Sequence, residues 1–202
     1  MDGRETRGGA KRKLGAAPVL LPLLAVLVGT YCGDGTPNAM TAAWAAACCH
    51  KPPCLGVAVR KNRLTFANIG GRGAFTINVP DARLAEQVDA LGIVSGKQKS
   101  DKLARFGLSA SRSSAVDAPG IDDCPVIAEC RLSGRLDLGS HTWFVGEVLE
   151  VRVDEAVLDP DGKIDVDRLD PLAYCTSERA YRRVGESLGA AYHLGERLAQ
   201  KP

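Results

Sequence analysis

The sequence lacks a Gly-x-Gly-x-x-Gly run after any strand-like segment, so the fingerprint of a dinucleotide-binding βαβ unit is missing and a bound nucleotide must be held another way. It also lacks an excess of one charge. The 26 Lys and Arg against 24 Asp and Glu give a formal net charge of +2, and the dense basic run Lys11-Arg12-Lys13 is short, with no interleaved aromatics. Nucleic acid is therefore not an expected partner. Seven cysteines form an odd set without regular spacing, which argues against a secreted disulfide framework and for reduced thiols in the cytoplasm. The apolar run Ala16 to Val28 contains Pro18 and Pro22 and falls short of the about 20 residues a membrane-crossing helix needs, so no membrane association is expected. Behind Lys11 to Lys13 it imitates a signal peptide, yet Thr30-Tyr31-Cys32 is a poor cleavage site and a buried first strand accounts for the run better. Internal repeats, long linkers and Ser-His-Asp or paired-carboxylate signatures are missing too.

What is present is the composition of an ordinary globular domain, 45% apolar and 25% charged, in a chain of 202 residues that suits one core. Residues 1–13, Gly-rich and charged, are expected as a flexible tail able to dock onto a partner subunit, with residues 14–202 as one domain. From Val19 the pattern is apolar and β-branched, and Cys32-Gly33-Asp34-Gly35 predicts a hairpin turn into a second strand over about Ala39 to Cys49. Pro52-Pro53 forces a loop before a third strand, about Leu55 to Arg60. A helical turn over Leu64 to Ile69, ended by Gly70-Gly71, precedes a strand from Gly73 to Val79. Asp81 is placed to cap a helix over Ala82 to Leu91, with Leu84, Val88 and Leu91 on one face, and Ser100 to cap a shorter one over Asp101 to Phe106. Two long strands, about Val126 to Leu136 and Thr142 to Val153, flank a turn at Gly139-Ser140, and Asp159-Pro160-Asp161-Gly162 predicts another turn. Many short strands with two small inserted helices imply a mainly β fold, an antiparallel barrel rather than a parallel α/β sheet.

Gly35-Thr36-Pro37-Asn38-Ala39-Met40-Thr41-Ala42-Ala43-Trp44 resembles the turn and second strand by which flavin reductase-like proteins and flavoredoxins are recognised. The same order continues through Pro52-Pro53, Arg60-Lys61-Asn62-Arg63-Leu64-Thr65, Phe75-Thr76-Ile77-Asn78-Val79-Pro80, Val94-Ser95-Gly96 and Asp101-Lys102. It goes on with Cys124-Pro125-Val126, Glu129-Cys130, Gly139-Ser140-His141, Phe144 to Val148, Asp170-Pro171-Leu172 and Gly195-Glu196, so the resemblance spans roughly Lys11 to Leu198. It takes in Val19 to Val28 as the first barrel strand. It implies the FMN-binding split barrel, a homodimer with the flavin beside the subunit interface, and electron transfer from NADH or NADPH to a second flavin or a redox partner protein. A carrier or sensor that binds FMN without oxidising pyridine nucleotide, and a barrel that retains the fold only, remain as alternatives.

FMN makes two demands, one from a phosphate with nearly two negative charges and one from a flat ring with polar edges. Arg60, Lys61, Asn62 and Arg63, at a strand end followed by a helical turn, offer guanidinium, ammonium and backbone N–H groups for the phosphate, with Thr65, Ser95, Gly96 and Lys102 as further donors. Asn38, Ala39, Met40, Thr41 and Ala42 are expected along the ring, where alanines leave room for a flat ligand; Met40 and Trp44 read equally as core residues. Asn78, Cys48 and Cys49 are implied near the flavin. His141 stands either at the flavin edge, steering a nicotinamide or polarising the ring, or as a hydrogen-bonded loop residue. A metal held by Cys48, Cys49, His50 and Cys54 is disfavoured because neighbours on a strand point to opposite faces.

Overall fold

The computed structural model describes residues 9–94 and 102–199. After a two-residue strand β1 (Leu23–Leu24), the apolar segment Val26–Tyr31 forms β2 and turns at Asp34-Gly35 into β3 (Pro37–Ala42). Strands β4 (Ala45–Cys49) and β5 (Cys54–Arg60) form a second hairpin, and α1 (Leu64–Arg72) leads to β6 (Ala74–Val79). Asp81 caps a short 3-10 turn by accepting from the Arg83 amide, and α2 (Ala85–Ile93) continues from it. Then come α3 (Lys102–Arg105), the hairpin of β7 (Ala110–Arg112) and β8 (Pro119–Ile121), and the two long strands β9 (Val126–Asp137) and β10 (His141–Val153). Helix α4 (Val166–Leu169), strands β11 (Leu172–Cys175) and β12 (Ala180–Arg183), and α5 (Glu196–Ala199) finish the described chain.

Seven strands form one antiparallel sheet in the order β3-β2-β6-β9-β10-β5-β4. Its two edges, β3 and β4, are consecutive in the chain, so Ala43-Trp44 carries the backbone from one edge to the other; the Ala58 amide donates to the Trp44 carbonyl at 2.9 Å, which continues the β4–β5 ladder up to that crossing. Val28, Met40, Val57, Val59, Phe75 and Phe144 pack its interior. A second core lies outside, where Val88 and Leu91 of α2 meet Leu27, Ala39, Leu103 and Ile121. Small strands gather the chain's far ends, since β1 pairs with β11 and β11 with β12. Gly56 lies directly under the Trp143 indole, where a Cβ would sit 2.2 Å from the ring and no side chain fits. Among the described residues no helix is long and apolar enough to cross a membrane.

Several expected boundaries move. The first barrel strand starts at Val26 rather than Val19, because Val19, Leu20 and Leu21 are exposed and only Leu23–Leu24 pairs on the way. The strand expected over Ala39 to Cys49 is two strands, broken at Ala43-Trp44 because closure needs a change of edge, which an alanine-rich run does not signal. Helix α1 runs through the exposed Gly70 and Gly71 and stops at Gly73, whose φ of 64° makes it the left-handed cap. Of the tail expected over 1–13, residues 9–13 are exposed and the rest lie outside the described residues, as do Ser100 and Asp101 before α3.

Candidate functional site

Barrel closure creates a cleft. The β3-to-β4 crossing supplies Met40, Thr41, Ala42, Ala43 and Trp44 to a cavity of about 310 Å³, completed by Ala58, Arg60, Arg63, His141, Tyr174 and Thr176. Small side chains at Ala42, Ala43 and Ala58 leave a slot between the Trp44 end and the Arg63 end. The register places His141 opposite Arg60, so the end of β5 and the start of β10 form one rim. Across Trp44 lies a second, apolar cavity of about 330 Å³, lined by Pro18, Val19, Leu20, Leu23, Ala45, Ala46 and Trp143 as well.

Met40 and Arg63 also border a narrow pit with Asn38, Leu64, Thr65, Val94 and Lys102. Its floor is fixed by a buried polar network. Asn38 donates from Nδ2 to the hydroxyls of Thr30 and Thr65, and Asn68 donates to Thr30 at 3.0 Å, which ties the first turn of α1 to β2 and β3. No side chain caps α1, and the amides of a helix's first turn point out of its N-terminus. Lys102, only 3% exposed, donates from Nζ to the carbonyls of Ala39 at 2.9 Å and Leu91 at 3.0 Å. An ammonium has three protons, so one is left over. Burial, and then the positive charge of Arg63, push the Lys102 pKa down to about 8. Arg63 reaches only a carbonyl, that of Gly92 at 3.4 Å, and neither cation is in an ion pair among the described residues. Two cations facing a polar pit that has no carboxylate among its described lining residues suit an anion rich in acceptor oxygens.

The rim differs. Arg60 donates from Nε to Nε2 of His141 at 3.4 Å, and the other ring nitrogen lies 2.8 Å from the Ser140 hydroxyl. A nitrogen that accepts from a guanidinium carries no proton, so His141 is the neutral tautomer with Nδ1–H directed at Ser140. Its pKa is lowered, first by partial burial and then by Arg60, which agrees. The ring lies 4.8 Å from that of Trp44, so together they wall one side of the slot. This geometry makes His141 a neutral polar wall rather than a proton donor.

The residues expected at the site separate accordingly. Asn38, Met40, Arg63, Thr65 and Lys102 meet at the pit, and Met40, Thr41, Ala42, Arg60 and His141 at the slot. Met40 is buried in the barrel core as well as bordering both the slot and the pit. Thr41 donates its hydroxyl to the Val88 carbonyl, and Ala39 enters only through the carbonyl that receives Lys102. Lys61 turns outward to Asp137 at 3.1 Å, with Asn62 exposed beside it. Asn78 corrects the expectation: it is fully buried, donating to the Leu27 carbonyl and the Thr76 hydroxyl and accepting from the Ile121 amide, so it is tied inside the fold and borders neither the slot nor the pit. Cys48 and Cys49 are exposed on β4 and are not among the cleft-lining residues. Ser95 and Gly96 lie outside the described residues. Among those described, no cluster of His, Cys, Asp or Glu is arranged to hold a metal. Sequence reasoning missed Ala43, Ala58, Tyr174 and Thr176; the last two reach the cleft from the distant β11 and the turn that follows it, which no local pattern announces.

Comparison with known proteins agrees with this architecture. The model of the flavin reductase like domain family matches residues 20–185. An uncharacterised protein of Archaeoglobus fulgidus is 36% identical over 147 residues, covering 73% of this chain and 80% of its own. The flavoredoxin of Desulfovibrio vulgaris (Miyazaki F) superposes with a TM-score of 0.88 at 40% identity, over 93% of this chain and 100% of that one. A flavoredoxin from Methanosarcina acetivorans gives 0.87 at 28% identity, over 94% and 100%.

Proposed function

The chain belongs to the flavin reductase-like domain family, and from that membership we propose that it is an FMN-binding oxidoreductase that takes electrons from NADH or NADPH and passes them to a second flavin or a redox partner protein. The observation that carries FMN, rather than a flavin without phosphate, is the pit. Among the described residues Lys102 and Arg63 stand there without counter-ions, next to the uncapped start of α1 and the Thr65 hydroxyl.

When bound, FMN supplies reversible one- and two-electron transfer, and the residues supply position and field. Lys102 and Arg63 hold the phosphate, and their charge is balanced by it. Asn38 keeps the first turn of α1 in place through Thr65. Ala42, Ala43 and Ala58 admit a flat ring whose side is bounded by Trp44 and His141. His141 offers no N–H toward the slot, so negative charge on a reduced ring is met by the neighbouring Arg60 rather than by a proton from the imidazole.

The assembly belongs to the same proposal. The described ends of the chain expose Leu14, Val19, Leu20, Leu188, Leu194 and a 97% exposed Tyr192, and the apolar cavity beyond Trp44 opens among the first of these. Scattered apolar residues are ordinary, but two exposed terminal segments, the first of them lining an apolar cavity, suit a second subunit. All seven cysteines are free thiols, which fits a reducing compartment such as the cytoplasm.

Rapid mixing of the FMN-loaded protein with NADH and with NADPH tests the activity. Bleaching of the flavin absorption band is expected with one or both; a stable yellow protein that no pyridine nucleotide bleaches is a carrier, not a reductase. Light scattering after size exclusion is expected to give twice the 21.3 kDa chain mass.

A further inference from the structure

The β4–β5 hairpin carries thiols that flavin binding does not use. Cys49 ends β4, Cys54 begins β5, and the two are register partners across the hairpin. Directly opposed residues of an antiparallel pair share a face with Cα atoms about 4.5 to 5.5 Å apart, inside the span of about 4.4 to 6.8 Å that a disulfide bridges. Cys49 is also one of the groups whose proximity raises the Cys54 pKa. Their accessibility differs: Cys49 is open to solvent and Cys54 is buried. Cys48 falls at the register irregularity between Ala47 and Cys49, so it has no cross-strand partner, and its thiol donates to the Cys54 carbonyl at 3.5 Å. The remaining cysteines are removed from this chemistry. Cys124, Cys130 and Cys175 are buried, with burial pushing the Cys130 thiol up to about 12, and Cys32 sits against Asn68 of α1.

We propose that Cys49 and Cys54 form a reversible dithiol–disulfide site oxidised by hydrogen peroxide. The Cys49 sulfur, as thiolate, attacks one peroxide oxygen; an S–O bond forms, the O–O bond breaks, and the departing hydroxide takes a proton to leave as water. The Cys54 sulfur then attacks the Cys49 sulfenic acid. It loses its proton as the S–S bond forms and the S–O bond breaks, releasing a second water. Two thiols have lost two electrons and one peroxide has become two waters. The division of roles follows from accessibility, since the exposed Cys49 meets the oxidant and Cys54 waits beneath it. Burial and the neighbouring cysteines raise the Cys54 pKa, which keeps that sulfur protonated until Cys49 is oxidised. A bridge here closes the hairpin whose first strand leaves Trp44, so it fastens the strand that continues from the cleft wall.

Differential alkylation of the full-length protein tests this without reference to flavin. Protein reduced with dithiothreitol and desalted is treated with a few equivalents of hydrogen peroxide, blocked with N-ethylmaleimide, reduced again and labelled with iodoacetamide. The chymotryptic peptide Ala45 to Leu55 is then read by mass spectrometry. Cys48 is expected to carry maleimide while Cys49 and Cys54 carry carbamidomethyl, with two of the seven thiols lost per chain and both restored by dithiothreitol. Cys48→Ser should keep that loss, and Cys49→Ser should abolish it. A bridge that includes Cys48, a bridge between two chains, oxidation of Cys49 to sulfinic acid without pairing, or maleimide on all three hairpin cysteines overturns the proposal. Because the wild-type peptide alone decides the pairing, a variant that fails to fold does not leave the question open.

Discussion

Two cationic regions meet the cleft under opposite conditions. At the pit, Lys102 and Arg63 lie close together, one buried and the other half-buried, and among the described residues their hydrogen bonds go only to carbonyl oxygens. At the rim, Arg60 and Lys61 are exposed, and each already has a partner in His141 or Asp137. Water and counter-ions screen the rim, whereas the pit's charges act through protein of lower effective dielectric. An anion therefore gains most at the pit, where no carboxylate among the described residues offsets the two cations. Depth and lack of a partner, more than the number of basic residues, decide where a phosphate is held.

The largest effect is expected from Lys102→Met. A hydrogen bond to a charged group contributes about 1.5 to 3 kcal/mol, so FMN affinity should fall about 10- to 100-fold, and Arg63→Gln should fall in the same range. Riboflavin, which has no phosphate, should bind wild type and both variants alike. Fluorescence-quench titration with both flavins reads the difference, and an equal loss for riboflavin would move the anion away from the pit.

The next effect is on pH. Lys102 has its folded pKa at about 8, below the ordinary lysine value of 10.5. An anion in the pit favours the charged ammonium, so FMN affinity should weaken as pH rises above 8, by at most about tenfold per unit. Without FMN the sign for stability is the reverse of a salt-bridged lysine. Between pH 8 and 10.5 the unfolded chain holds a proton that the folded chain has released, so this group's contribution to stability rises with pH across that window. Denaturant melts of the FMN-free protein at both ends of the window, with Lys102→Met as the variant that lacks the slope, check it.

The contrast between pit and rim was only partly legible beforehand. The strands β5, β6, β9 and β10 were readable because β-branched alternation and turn residues mark them. Arg60 through Arg63 read as one cradle, but a strand end followed by a helical turn sends successive side chains in different directions, and only Arg63 enters the pit. Asn78 has the same polar chemistry as Asn38, yet its own β6 faces it into the packing against β2 and β8, where three internal partners consume it. Which face a strand buries depends on its neighbours, and no local pattern around Asn78 reveals β8. Tyr174 and Thr176 enter from a strand more than a hundred residues along the chain from Met40 and Thr41, so only the folded topology brings them there.

Arg60→Gln should have a smaller consequence for binding, a few-fold at most, because an exposed contact contributes about 0 to 1 kcal/mol. Its clearer readout is His141. Removing the guanidinium takes away the second cause of the lowered pKa and leaves burial, so the His141 titration followed by NMR should move up toward the ordinary histidine value without passing it. A downward shift would mean that Arg60 does not act on the imidazole through its charge.

Lys61→Gln should have the least effect of all. Its pair with Asp137 is exposed on both sides, contributes little and is screened by salt. Asp137 does not depend on it alone, since the Thr142 hydroxyl is the larger cause of its lowered pKa and Lys61 the next. That lowered carboxyl stabilises the fold at pH above the ordinary carboxylate range and loses its contribution in acid as it becomes protonated; most of this should survive the substitution. FMN affinity should stay within about twofold of wild type at physiological salt, the change an exposed pair's fraction of a kcal/mol can produce. A tenfold loss at Lys61 together with none at Lys102 would reverse the comparison, placing the phosphate at the exposed rim and leaving the buried lysine as a tie between Ala39 and Leu91.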